Sequence, residues 1–117
     1  MRLKKPQTKI GVGELKISDY EKQLVNEVLN SNRLTYGPVT KKFEEAFANL
    51  HDCEFALFMN SGTSALHVAL AAFKAMHGWH DGDEVLVPSV TFVATSNIIL
   101  HNNMTPIFVD VEPLTYN

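Results

Sequence analysis

The sequence is short of the features that mark several specialised classes. It has one cysteine, Cys53, so it cannot form an internal disulfide, and a disulfide-stapled scaffold is excluded. A lone thiol suits a reducing cytoplasm. Long apolar runs are missing as well. The longest, Ala65 to Phe73, contains His67 and is far too short to span a bilayer. The basic opening "MRLKKPQTK" leads into no apolar stretch, so it does not read as a secretory signal. Net charge is −3 and the basic residues form no stripe, which argues against nucleic acid or an anionic membrane as the main partner. There is no internal repeat and no low-complexity tract. What remains is ordinary for a soluble globular protein: 117 residues, 45% hydrophobic and 20% charged, enough for one small domain with a core.

Three regions follow from pattern. Residues 1–17 show no period and read as an extended lead-in. Residues 18–52 read as helical. "SDYE" at Ser18 to Glu21 has capping-box spacing. Tyr20, Leu24, Val25, Val28 and Leu29 then share one helical face. "RLTYGP" is a turn-forming linker, and Pro38 suits a first helical position. Phe43, Ala46, Phe47 and Leu50 form the apolar stripe of a second helix. From residue 53 the rhythm changes. Phe55 to Met59 is a continuous apolar run, as in a strand covered on both faces. Thr63 to His77 reads as a helix with Leu66, Ala69, Leu70 and Phe73 inward and Gly78 as its stop. "EVLVP" is a second buried strand, Thr91 to His101 a helix ended by Asn102-Asn103, and "PIFVDV" a third strand with Pro106 at its leading edge. Strand, helix, strand, helix, strand is the α/β signature. Three parallel strands with only these helices would be half-covered, whereas parallel sheets are normally buried on both faces. The pattern therefore suggests part of something larger.

The stretch "FALFMNSGTSALHVALAAF" turns a buried strand into a buried helix through small polar residues. A helix start carries unpaired N–H groups and the positive end of the peptide dipoles. Ser61, Gly62 and Thr63 add two hydroxyls and a residue with no side chain to block close approach, which together suit an anion such as a phosphate. The plainer reading is that Ser61 or Thr63 only caps the helix. Parallel strands in an open α/β sheet present their C-terminal ends along one ligand-binding edge. That places Ser61 to Thr63, the "PSVTF" loop and Asp110 on one rim. Phe92 on that rim is either a core phenylalanine or a ring that packs against a flat ligand.

Other constellations are weaker. His77 and His80 have a spacing that could hold a metal, but a solvated turn explains them, since zinc needs three or four converging ligands. His51 and Cys53 lack an orienting third group and read as packing. His67 reads as a hydrogen-bonded core or interface histidine. Asp81, Asp83 and Glu84 form an acidic turn, and Asp110 either meets a ligand or caps the next turn.

Taken together, "NSGTSALHVAL", "GDEVLVPSVTFVATSN", "PIFVDVEPLTYN" and "NRLTYGPVTKKFEEAFA" resemble the N-terminal part of the DegT/DnrJ-type sugar aminotransferases, pyridoxal-phosphate (PLP) enzymes of the aspartate-aminotransferase fold. The resemblance runs from about Ile17 onward in several motifs of the right order and spacing. It implies an α/β fold, the N-terminal part of the fold-type I large domain with an incomplete parallel sheet. It implies that Ser61, Gly62 and Thr63 hold the PLP phosphate and that Phe92 stacks on the pyridine ring. Asn32, Arg33, Leu34, Thr35 and Tyr36 match a segment that borders the sugar substrate. The implied reaction moves an amino group from glutamate to a ketone of a nucleotide-linked sugar, in surface-polysaccharide or deoxysugar biosynthesis, by a cytoplasmic homodimer with its sites at the subunit interface. A sugar dehydratase of the same family and a truncated, non-catalytic remnant are the alternatives.

The resemblance also implies what is missing. The Schiff-base lysine, the acid that pairs with the pyridine nitrogen and a further phosphate-binding serine belong later in the chain. Lys74 cannot stand in: it lies eleven residues along the helix from Thr63, about 16 Å at 1.5 Å per residue. No catalytic residue is assigned. In the implied fold the first strand lies at one end of the sheet and the next two at the other, so this chain alone is expected to be poorly stable and inactive.

Overall fold

The computed structural model describes residue 13 and residues 15–115. Most of the expected lead-in and the last two residues of "EPLTYN" lie outside the described residues. Helix α1 is Asp19–Asn30, and its start is the capping box expected of Ser18: the Ser18 hydroxyl accepts from the Glu21 N–H while the Glu21 carboxylate accepts from the Ser18 N–H. Helix α2, Pro38–Leu50, begins with proline in its first turn, behind an extended Gly37. Helix α3 is Gly62–His77. It ends on Gly78 at φ +66°, a left-handed conformation that glycine adopts without strain. Strand β1 is Glu84–Pro88, helix α4 is Ala94–His101, and strand β2 is Thr105–Val109.

The two strands pair in parallel, from Glu84 opposite Thr105 to Pro88 opposite Val109. Helix α4 lies on this sheet and α3 packs against α4. Their shared core is Val87, Ile98, Ile99 and Met104, with Leu70 and Val85 packed beside it. Two polar closures hold α3 to the end of α4. The buried Asn102 side chain donates to the carbonyls of Ile98 and His67, and the Lys74 ammonium donates to the Asn102 carbonyl at 2.7 Å. The "DGD" turn is fastened to the start of β2: the Gly82 N–H donates to the Asn103 carbonyl, and Thr105 returns bonds to Gly82 and Asp83.

Several expectations need correction. Phe55 to Met59 is extended but pairs with no strand among the described residues, so the sheet has two strands rather than three. A strand is defined by its ladder, and no neighbour is present to make one. Helix α4 starts at Ala94, not Thr91, because the chain first turns through Phe92, whose carbonyl accepts from the Thr95 N–H. On α3 the packed face is not Leu66, Ala69 and Phe73, which are exposed. It is the row Ser64, His67, Leu70 and Lys74, which faces α4 and its closing turn. The Phe43–Phe47–Leu50 stripe of α2 is largely exposed, as are Tyr20, Leu24, Val25 and Leu29 on α1. Cys53 is exposed rather than packed inside.

Candidate functional site

Ser61 is extended at φ −162° and ψ 157°, the geometry of an N-cap. Its hydroxyl accepts from the Ser64 N–H at 3.1 Å, and its carbonyl accepts from the Ala65 N–H. The amides of Gly62 and Thr63 are left without a partner among the described residues. The capping and anion-binding readings of this corner therefore do not compete. Ser61 spends its oxygens on the helix, and the two free amides point the positive end of a 16-residue helix at solvent. The first turn of α3 carries no acidic residue to repel an anion. A β-carbon placed on Gly62 would meet nothing within 4 Å, so the approach to these amides is open.

Behind the corner lies a cavity of about 400 Å³ between α2 and the segment entering α3. Phe43, Glu44 and Phe47 form one wall, and residues 56–59 with Ser61, Gly62 and Ala65 form the other. Phe43 meets Phe58 edge to face at 5.5 Å between ring centres.

Phe92 stands in the turn between β1 and α4, 74% exposed, so it is not a core phenylalanine. The Thr91 and Thr95 hydroxyls bond each other beside it at 3.0 Å and fix the turn. Its ring does not line the cavity behind Ser61. Asn32, Arg33, Leu34, Thr35 and Tyr36 form the exposed link between α1 and α2. Asn32 takes a left-handed φ of +54°, and the Arg33 Nε donates to the Tyr36 carbonyl at 3.1 Å, which closes the link on itself.

One residue that sequence reasoning missed joins these parts. Glu44, partly buried on α2, accepts from the Phe58 N–H with one carboxylate oxygen at 2.8 Å and from the Tyr36 hydroxyl with the other at 2.7 Å. The Phe58 N–H, followed by the Tyr36 hydroxyl, holds the Glu44 carboxyl below the usual carboxylate range, and the same bond to Glu44 raises the Tyr36 phenol above its own. No sequence pattern marks a pair eight residues apart or one fourteen apart.

The remaining candidates are occupied elsewhere. The Lys74 ammonium bonds Asp81 and the Asn102 carbonyl, which holds the Asp81 carboxyl below its usual range. Asp83 accepts from the His80 N–H in the same turn. His77 stacks between Phe73 and Trp79, and His67 meets His101 edge to face. Among the described residues, no group of three or more His, Cys, Asp or Glu is placed to hold a metal. Asp110 accepts from the Val111 N–H, while Glu112 caps the turn that follows.

The profile of the DegT/DnrJ/EryC1/StrS aminotransferase family matches residues 15–117. A GDP-perosamine synthase of Escherichia coli O157:H7 is 39% identical over 108 residues, which cover 92% of this chain and 29% of that one. An E. coli GDP-4-keto-6-deoxy-D-mannose-3-dehydratase, solved with bound hydrated PLP, superimposes with a TM-score of 0.83 at 27% identity over 91% of this chain and 28% of its own. An aminotransferase from Psychrobacter cryohalolentis gives 0.76 at 36% identity over 83% of this chain and 24% of its own. The chain thus spans 24–29% of the length of these relatives. Its fold is the N-terminal part of the large domain of fold-type I PLP-dependent transferases, with a parallel β1–β2 pair that the first apolar run does not join among the described residues. A profile that runs through both helical regions, the Ser61 corner and the sheet makes this chain a member of the DegT/DnrJ/EryC1/StrS aminotransferase family.

Proposed function

We propose that the chain is the N-terminal, phosphate-holding portion of a PLP-dependent aminotransferase that moves an amino group from glutamate to a keto group of a nucleotide-linked sugar, in surface-polysaccharide or deoxysugar biosynthesis. The observation that carries this reading is the pair of free amides at Gly62 and Thr63, heading a 16-residue helix in a chain of this family. These donors fit a phosphate: two N–H groups, an exposed Thr63 hydroxyl, no acid in the first turn and open space over Gly62. Gly62 and Thr63 would hold the phosphate, Ser61 would keep them in place, and Phe92 would supply a flat apolar face for the pyridine ring. PLP supplies the electron sink for amino transfer. Asn32 to Tyr36 would border the sugar. The working protein is proposed to be a cytoplasmic homodimer, with residues 18–52 as a helical region and 53–117 as part of the cofactor-binding α/β domain. No residue here is assigned a catalytic role, because Lys74 already serves the turn after α3.

A second reading, a sugar dehydratase of the same family, is favoured by the likeness to the E. coli 3-dehydratase. One experiment separates the two. The full-length protein is loaded with PLP, reduced with borohydride and examined by mass spectrometry. PLP fixed to a lysine supports the aminotransferase. PLP that is held but never fixed supports the dehydratase. A protein that holds no PLP at all rules out both and leaves a non-catalytic remnant.

A further inference from the structure

The corner raises a problem of mechanical support. Residues 55–59 lead directly into Ser61, yet no strand fixes their position among the described residues. The Gly62 and Thr63 amides can be aimed only as well as that lead-in is held, and misplacement on the ångström scale is costly for a binding constellation. Two contacts from α2 do the holding: the Phe43–Phe58 ring pair and the Glu44 bond to the Phe58 N–H, three residues before Ser61. The Glu44 carboxylate is held in turn by Tyr36. With both oxygens bonded, its orientation is fixed by charge-assisted hydrogen bonds rather than by packing alone. Glu44 also lines the cavity that Ser61 and Gly62 close on the other side.

We propose that Glu44 is a positioning residue for the phosphate corner, acting through the Phe58 amide, with Tyr36 as its second anchor. This rests on the reading of Ser61 to Thr63 as the corner that takes the PLP phosphate. In this proposal Glu44 acts on the backbone of the lead-in and not on the phosphate. It sets where the first turn of α3 begins, and it joins the link between α1 and α2 to the same corner, so the segment proposed to border the sugar and the segment proposed to hold the phosphate share one carboxylate.

The test compares PLP with pyridoxal, which lacks the phosphate, in binding titrations of the full-length protein. A role at the phosphate corner moves the ratio of the two affinities, whereas a general loss of stability weakens both alike. E44A is expected to lower the preference for PLP about tenfold, the scale of one hydrogen bond to a charged group. Y36F should lower it in the same direction but less, and Y36F added to E44A should lower it no further, because Tyr36 acts only through Glu44. E44Q keeps an oxygen for the Phe58 N–H and should retain most of the preference. Amide exchange at Phe58 gives a readout independent of the cofactor: protection should fall in E44A and persist in E44Q. An E44A protein with unchanged preference, or one that loses PLP and pyridoxal equally, overturns the proposal. A wild-type protein that prefers PLP no more than pyridoxal removes the phosphate-corner reading itself, and the wild-type titration shows this before any variant is made.

Discussion

Gly62 and Gly78 stand at opposite ends of α3 and should answer the same substitution in opposite ways. Gly62 is helical, and a β-carbon there meets nothing. G62A should therefore leave the full-length protein as stable as before, or raise it by about a few tenths of a kcal/mol through helix propensity. The same methyl would take up open space at the residue that carries one of the free amides and should cut PLP affinity by about tenfold or more if a phosphate sits there. Gly78 also has open space around it, but its φ of +66° penalises any side chain. G78A should cost about 1 kcal/mol and leave PLP affinity unchanged. Thermal melts and PLP titrations of the two variants check both signs. An equal loss of affinity in both would mean that the corner feels the stability of α3 and not the space over Gly62. Serine at position 61 shows how one residue can be legible in part. Its cap was readable from "NSGT" beside a helical run, and the structure has it. That the cap leaves the next two amides free needed coordinates.

Elements were legible where a local rule decided them. The capping box, the proline at the start of α2, the glycine after α3 and the asparagines after α4 all act within one turn of chain, and all four boundaries stand as read. What was not legible depends on distant partners. Phe55 to Met59 has strand composition but no ladder, and the packed face of α3 is the one with Lys74 in it, because Asn102 and Asp81 lie opposite. The tie from α2 to residues 55–59 through Glu44 is of this kind, and it makes a pH prediction with two sides. The Glu44 pKa is lowered in the fold, so its stabilisation is complete above the ordinary carboxylate range and is lost as pH falls through the lowered value. The Tyr36 pKa is raised, so its share is complete below the ordinary phenol range and is lost as pH rises through the raised value. Tyrosinate absorbance of the full-length protein, with Y36F subtracted, should place the Tyr36 midpoint above that of a free tyrosine. E44Q should bring it back down, since removing the carboxylate removes the cause. A midpoint that ignores E44Q would mean the two side chains do not meet.

At the scale of the whole molecule, the packed part is small. Its core is formed by α4, β1, Met104 just before β2 and one face of α3, while α1 buries no residue and α2 buries only Ala48. Leu86, in the middle of β1, is 71% exposed, although parallel strands are normally covered on both faces. A cavity of about 660 Å³ opens beside that strand, walled by Leu70, Phe73, Trp79 and Met104. The radius of gyration is 19.7 Å, against about 13 Å expected of a compact domain of this length. So open a shape buries too little apolar surface to offset the entropy of ordering the chain. The 117-residue chain in isolation is therefore expected to show helical circular dichroism, to bind a dye that seeks apolar surface, and to melt gradually with no calorimetric peak. The full-length protein should melt in a peak that sharpens and moves up when PLP is added, since a ligand that binds only the folded state stabilises it. A sharp, reversible peak from the isolated chain, of the enthalpy expected for about 100 residues, would show that the small core suffices and that the exposed faces are surfaces in their own right. PLP that then raised that peak would place the whole phosphate-holding function within these residues.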